Sequence, residues 1–368
     1  MPGTSESSEL TDQLRRALAS APSTISWTRP ASPADAFAAL ADAARDLGVD
    51  AFDQYGEGGA VAMLEEEVAQ VLGTPGAAYF PSGVMAQQIA LRIWADRSGS
   101  RRVAMPDLSH LLVHEEDGPR ILQDLRIEHL TTGPVTPTAA HVDALPGRLA
   151  AVLVELPLRD AGCAVPSFED LAAISAACRE RGIRLHLDGA RLWEAQPALG
   201  RPLAEIVALA DTVYVSLYKG LGGQAGSVLV GPADVLAEAR VWRRRAGGTI
   251  FRQTAEAVSG LVGLRERLPL MPDVVAWAGR LAAALPAGIT VQPEVPRTNT
   301  FLLHAAGDAE DANRRSLALA TGRGIALTSP WRAGTEPGRT TAEVVVGDGA
   351  LGLDPEEAAA LVAQVAGV

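Results

Sequence analysis

From about residue 34 onward this chain alternates short strand-like runs with longer segments of helical spacing, and that alternation restricts it to a sheet with helices packed on its faces. Leu149 to Glu155 is almost wholly apolar, as a strand buried on both faces must be, which is the habit of parallel sheets. Ser167, followed by Asp170 and Leu171, opens a helix that runs to Arg181 and stops at Gly182. Ile183 to Leu187 is the next strand and ends at Asp188-Gly189-Ala190-Arg191. Thr212 to Leu217 is another and ends at Tyr218-Lys219. With the helical-looking Leu203 to Ala210 between them, the interval reads as strand, crossover, strand. Such a unit delivers both tips to the carboxyl edge of the sheet, where open α/β sheets bind ligands, so Asp188 and Lys219 are expected to face one crevice.

Three regions follow from the same reading. Residues 1–34 read as an N-terminal helix and a Ser/Thr/Pro-rich arm. In residues 35–267, Ala60 to Leu72 sets Leu64, Val68, Val71 and Leu72 on one helical face, and the turn Pro81-Ser82-Gly83 opens a helix over Val84 to Ala95. Arg102 to Met105 and Ser227 to Val230 are strands there, and Ala233 to Arg244 and Gln253 to Arg265 are helices. Residues 268–368 form a smaller α/β unit with a helix over Met271 to Leu285, strands at Thr300 to Leu303 and Glu343 to Val346, and a last helix from Pro355 to Val365.

Composition removes several classes of function. A 368-residue chain that is 48% hydrophobic and 21% charged builds a sizeable core. Its net charge of -12 argues against a nucleic-acid partner, which needs a basic surface. No run approaches the length of a membrane span, and Met1 to Arg16 is too polar for a secretory leader, so the expected compartment is the cytoplasm. Cys163, Cys178 and six scattered histidines show no ligand spacing, and no metal is expected.

A small-molecule site is left, and one residue points to its chemistry. Lys219 is the only lysine among 32 basic residues, where ordinary usage would supply on the order of twenty. A bias that replaces Lys by Arg wherever charge alone matters leaves lysine where arginine cannot serve. Lysine loses its proton when desolvated and forms a Schiff base with a carbonyl, whereas guanidinium stays protonated. The following Gly220-Leu-Gly-Gly-Gln-Ala-Gly226 satisfies the relaxed dinucleotide fingerprint, but that motif requires a helix next, and Ser227 to Val230 is β-rich. Asp188 alone is an ordinary turn residue; opposite a Schiff-base lysine it acquires a role. A pyridine ring withdraws electrons only when its nitrogen is protonated, and a buried carboxylate keeps it so.

Several segments carry a family resemblance. His186-Leu-Asp-Gly-Ala-Arg-Leu-Trp193, Ser216-Leu-Tyr-Lys-Gly-Leu-Gly-Gly-Gln-Ala-Gly-Ser-Val-Leu-Val-Gly231 and Pro81-Ser-Gly-Val-Met-Ala-Gln87 resemble the low-specificity L-threonine aldolase and β-eliminating lyase family. Weaker echoes are Asp53-Gln-Tyr-Gly56, Ser109-His110 through Glu115 and Gly118, Arg252-Gln253 and Thr298-Asn299-Thr300. The resemblance implies pyridoxal-phosphate fold type I, a mostly parallel seven-stranded sheet flanked by helices with a small C-terminal α/β domain. It assigns Lys219 to the internal aldimine with pyridoxal 5'-phosphate, Asp188 to the ring nitrogen and His110 to the ring face. Ser82, Gly83, Val84, Ser216 and Arg252 fall at cofactor-binding positions. Arg191 falls near the cofactor oxygen and the substrate carboxylate. Tyr55 would reach a neighbouring subunit's site, implying a homo-oligomer, a dimer or tetramer.

Departures from the family pattern limit what is carried over. Val84 replaces a threonine, at a cost of about 1 kcal/mol in phosphate binding. Of the family's opening motif only Thr28-Arg29-Pro30 agrees. Glu155-Leu-Pro-Leu-Arg-Asp160 lacks the family's polar histidine, and Glu343 stands at or near the position of a second carboxylate-binding arginine, for which Arg332 or Arg339 is the candidate substitute. The resemblance implies a lyase that cleaves the Cα–Cβ bond of a β-hydroxy-α-amino acid to glycine and an aldehyde, with a water at His110 and Glu115 as base. Rival readings are β-elimination or transaldolation at the same site, a nucleotide-dependent oxidoreductase, and a catalytically silent cofactor binder.

Overall fold

A computed structural model of the chain describes residues 3–28 and 32–368, so Arg29 and Pro30 of the opening motif lie outside the described residues. It divides into two units, Ala36–Pro269 and a smaller one that joins the N-terminal segment to Leu270–Val368. The two-residue strand Ser23–Thr24 (β1) belongs to the smaller unit. The larger unit contributes Ala77–Phe80 (β2), Arg102–Met105 (β3), Arg126–His129 (β4), Ala151–Glu155 (β5), Arg184–Gly189 (β6), Thr212–Ser216 (β7) and Ser227–Val230 (β8). These seven form one sheet in the order β2-β8-β7-β6-β5-β3-β4. Pairing is parallel from β7 across to β4, and β8 runs antiparallel to both of its neighbours.

Burial explains the order. Every residue of β2, β5, β7 and β8 is buried, as strands covered on both faces require. The helix Gly83–Ser98 lays Ala86, Ile89, Ala90 and Ile93 into a cluster with Phe80, Val103, Leu153 and Leu229. Each large aliphatic side chain so buried contributes about 1.5–3 kcal/mol. β4, with Arg126 and His129 exposed, closes one edge of the sheet and blunts it with charge. That polarity hides it from a search for apolar runs. The helix expected over Leu203 to Ala210 is shorter, Leu203–Val207, and a further helix, Leu192–Leu199, precedes it despite Pro197.

The smaller unit holds Ile289–Gln292 (β9), Thr300–Ala306 (β10), Ile325–Ala326 (β11), Arg332–Ala333 (β12) and Arg339–Val345 (β13). An antiparallel sheet runs β12-β13-β10-β9, and β1 pairs with β11. The N-terminal helix Gly3–Ser20 packs on Ala309–Arg323 of this unit. Among the described residues no helix is long and apolar enough to cross a membrane, and no group of His, Cys, Asp or Glu is arranged to hold a metal ion.

Two glycines place the machinery at the sheet edge. Gly226, at φ 91°, turns the chain into β8 in a conformation that side chains rarely adopt, and a strand follows it, which removes the dinucleotide fingerprint. Gly83 starts its helix so close to Tyr214 that a Cβ there would lie 2.2 Å from the phenol oxygen. Gly83→Ala is therefore expected to destabilise the protein by about 1–3 kcal/mol in urea unfolding. Gly279→Ala, in a helix with open space around it, should be neutral or stabilising. Equal effects at the two positions would contradict the crowding at Gly83.

Candidate active site

The carboxyl ends of β5, β6 and β7 meet at one place, because parallel register pairs Glu155 with Asp188 and Gly189 with Val215. Asp188 is 1% exposed. Its Oδ1 accepts the Ala190 N–H at 3.0 Å, whereas its Oδ2 is buried without a partner. Burial pushes its carboxyl above the ordinary range, and Ala190, Gln87, Arg191 and Lys219 hold it down in part. A buried acceptor with no donor is a costly thing to keep, on the order of 1–3 kcal/mol, and it fits a protonated ring nitrogen as its missing donor. Lys219 follows β7, its Nζ 4.8 Å from the centre of the Tyr218 ring. Burial and the nearby charges of Arg191 and Arg159 lower the Lys219 pKa against the pull of Asp188 and Glu194, which favours the free amine a Schiff base needs.

Beneath the lysine, Glu194 accepts the Gly220 N–H at 2.9 Å, and Trp193 Nε1 donates to the Ser216 carbonyl at 2.9 Å. Ser216 Oγ in turn accepts the Tyr218 N–H at 3.4 Å, so the lysine turn is held from the strand side as well. On the other flank, Glu155 is 3% exposed and accepts the N–H groups of His110 at 2.8 Å and Arg159 at 3.1 Å. His110 Nε2 lies 3.1 Å from Glu115. Burial and the charges of His114 and Lys219 drop His110 to about 4, so near neutrality it is uncharged. Nε2–H then donates to Glu115, and Nδ1 is a buried acceptor with no partner.

Ser82 caps the helix Gly83–Ser98 in an extended conformation and makes no side-chain bond to it. The first-turn N–H groups, with Gly83 and Val84 among them, therefore form the anion-binding end of a helix dipole. Arg252 is exposed, its guanidinium 4.1 Å from the centre of the Phe52 ring. Tyr55, at φ 55°, is also exposed and packs edge-on against Phe251 at 5.3 Å. Arg332, Arg339 and Glu343 belong to the smaller unit, on β12 and β13. Arg339 reaches Thr290 and Glu336 there, and the Glu343 N–H donates to Ser329.

Four residues of the site escape a reading of the sequence. Gln87 lies one helical turn beyond Gly83, which turns it toward Asp188. Glu194 follows Arg191 by three residues, and no pattern marks a buried acid there. Glu155 and Asp53 look like ordinary strand-end and loop carboxylates. Asp53 is fully buried and ties Gln253, Thr254 and Gly56 around the Tyr55 loop.

An acid with a free oxygen, a lysine on the adjoining parallel strand and an open helix end define a pyridoxal-phosphate enzyme of fold type I. More particularly, the chain belongs to the β-eliminating lyase family, whose model it matches over residues 32–308. It is 30% identical over 274 residues to low-specificity L-threonine aldolase 1 of Arabidopsis thaliana, spanning 68% of this chain and 72% of that one. A crystal structure from Listeria monocytogenes assigned as an L-allo-threonine aldolase superposes with a TM-score of 0.88 at 35% identity, covering 97% and 99% of the two chains. One from Exiguobacterium, assigned as an aromatic amino acid β-eliminating lyase/threonine aldolase, gives 0.88 at 36% identity over 96% and 99%.

Burial raises Glu194 from 4.5 to about 7. Between those values the folded chain holds more proton at this group than the unfolded chain, so its contribution to stability declines as pH rises. Glu194→Gln keeps an acceptor for Gly220 and removes that slope. In cofactor-free protein the variant should gain on the wild type by roughly 2–3 kcal/mol between pH 4.5 and pH 8 in urea unfolding. A difference that does not change with pH would contradict the burial of a titrating Glu194.

Proposed function

We propose that this protein cleaves the Cα–Cβ bond of threonine-like β-hydroxy-α-amino acids, releasing glycine and an aldehyde. The observation that carries the reading is the pairing of Asp188, with its donor-less buried oxygen, and Lys219 at the ends of adjoining parallel strands. Pyridoxal phosphate, when bound, supplies the electron sink for the pair released from the broken bond. Lys219, with its desolvated amine, would hold the cofactor. Asp188 Oδ2 accepts the ring N–H and keeps that proton in place. The N–H groups of Gly83 and Val84, with Ser82, bind the phosphate, and Arg252 adds charge to it. His110 would cover the ring and, together with Glu115, would hold the water that takes the substrate hydroxyl proton. Arg191 orients the substrate carboxylate.

The assembly we propose is a homo-oligomer, dimer or tetramer, with Tyr55 completing a neighbouring site. Phe52, Tyr55, Ile250 and Phe251 are 62%, 52%, 47% and 51% exposed on one segment pair, an apolar patch suited to a second copy of the chain. The proposed compartment is the cytoplasm, in keeping with the buried free thiols Cys163 and Cys178.

Purified protein should show a visible cofactor band that borohydride removes, and aldehyde should appear with L-threonine, L-allo-threonine or phenylserine. Lys219→Arg is expected to lose both the band and turnover; a band retained at its usual wavelength would sink the assignment of Lys219. Phe52→Ser combined with Phe251→Ser should shift the mass found by light scattering to that of one chain. An unchanged mass would remove this patch from the subunit interface.

A further inference from the structure

The turn that carries Lys219 also carries a partner for its amine. Backbone bonds pin both sides of the pair Tyr218-Lys219. The Leu217 N–H donates to the Gly226 carbonyl at 3.2 Å, the Gly223 N–H to the Leu217 carbonyl at 2.8 Å, and the Gly222 N–H to the Lys219 carbonyl at 3.0 Å. Glu194 takes the Gly220 N–H between them at 2.9 Å. With the backbone so fixed, Lys219 folds its side chain over its neighbour, and Nζ stands 4.8 Å from the centre of the Tyr218 ring, within the range of a cation over an aromatic face. Among the described residues, no carboxylate lies within ion-pair distance of Nζ to compete with that contact.

The acids around the amine are engaged elsewhere. Asp188 Oδ1 holds the Ala190 N–H, Glu194 Oε1 holds the Gly220 N–H, and Glu115 lies 3.1 Å from His110 Nε2. Asp188 and Glu194 favour the charged lysine through space, Arg191 and Arg159 disfavour it, and Glu115 feels its charge in return. His110 is uncharged near neutrality, and burial pushes the Tyr218 phenol up, so the ring is neutral too. We propose that the face of Tyr218 is the cation partner of Lys219 and sets the balance between its amine and its ammonium. A carboxylate in that place would hold the ammonium firmly and remove the free amine on which a Schiff base depends. An aromatic face holds it weakly, by a factor of about three to ten in the protonation equilibrium. The ring gives the proton of a lysine not joined to a carbonyl a place, without fixing it there.

This role for Tyr218 rests on Lys219 being the cofactor lysine, and one experiment separates the two. Because Lys219 is the only lysine, trace acetylation with acetic anhydride, read by mass spectrometry on the peptide that carries it, follows its free amine alone. Full-length cofactor-free protein is labelled across neutral and alkaline pH for the wild type, Tyr218→Phe, Tyr218→Leu and Tyr218→Trp. Pyridoxal 5'-phosphate is added to separate samples to look for the visible band. Tyr218→Phe should keep the wild-type midpoint of labelling. Tyr218→Leu should lower it by about 0.5 to 1 in pH, and Tyr218→Trp should raise it, indole being the better face for a cation. A role confined to packing would not place the midpoints in that order. Equal midpoints in Tyr218→Leu and the wild type, or a fall in Tyr218→Phe as large as that in Tyr218→Leu, overturn the proposal, and a cofactor band in the same samples leaves the reading of Lys219 standing. The expected order with no band in any sample upholds the contact and overturns the cofactor reading. Tyr218 is 42% exposed, so these substitutions spare the core. Should Tyr218→Leu fail to fold, the difference between Tyr218→Trp and Tyr218→Phe decides.

Discussion

Burial of carboxylates at one edge of a parallel sheet is the constraint on which the rest of this structure depends. Glu155, Asp188 and Glu194 are each 3% exposed or less, and an acid so placed is expensive unless hydrogen bonds and opposite charges surround it. The chain surrounds them in two ways. Backbone N–H groups of His110, Arg159, Ala190 and Gly220 are turned toward the oxygens. Cations gather at the same edge, with Arg191 and Lys219 acting on both Asp188 and Glu194. Two oxygens, Asp188 Oδ2 and Glu194 Oε2, stay without a donor, and Asp188 Oδ2 is the one that suits a ligand proton.

Placement of the backbone follows from those bonds. Because Glu155 takes one N–H from each of two loops, the loop carrying His110 and the loop carrying Arg159 are set by a single side chain. Glu194 holds the turn behind Lys219 through the Gly220 N–H. The residues proposed to do chemistry are thus held by acids that need not touch the substrate, and the same acids tune the charge of what they hold. Lys219 is pulled toward neutrality by burial and by two arginines, and His110 is kept uncharged by burial and its cationic neighbours. An amine ready to react and an uncharged imidazole emerge from one dense arrangement of charge.

Much of this was legible in the sequence for reasons that are local. The expected strands at Arg102 to Met105 and Ser227 to Val230 match those observed, because a strand's face pattern is written in its own residues. The Ser167 cap is equally local, its Oγ accepting the Asp170 N–H. The edge strand Arg126–His129 was not legible, since its polarity is what an edge demands and resembles a loop. Nor were Gln87, Glu194, Glu155 and Asp53, whose importance lies in what they face across the fold.

The sequence by itself determined a covered parallel sheet through its alternating elements, and one lysine in an arginine-rich chain, with an aspartate one strand away, pointed to the cofactor chemistry that the family resemblance implies. Only the tertiary structure decided which acids are buried, which loops they hold and which charges act on the lysine. Those properties arise where residues far apart in the chain share one dehydrated space, and the strength of a charge there is set by neighbours that no local pattern records.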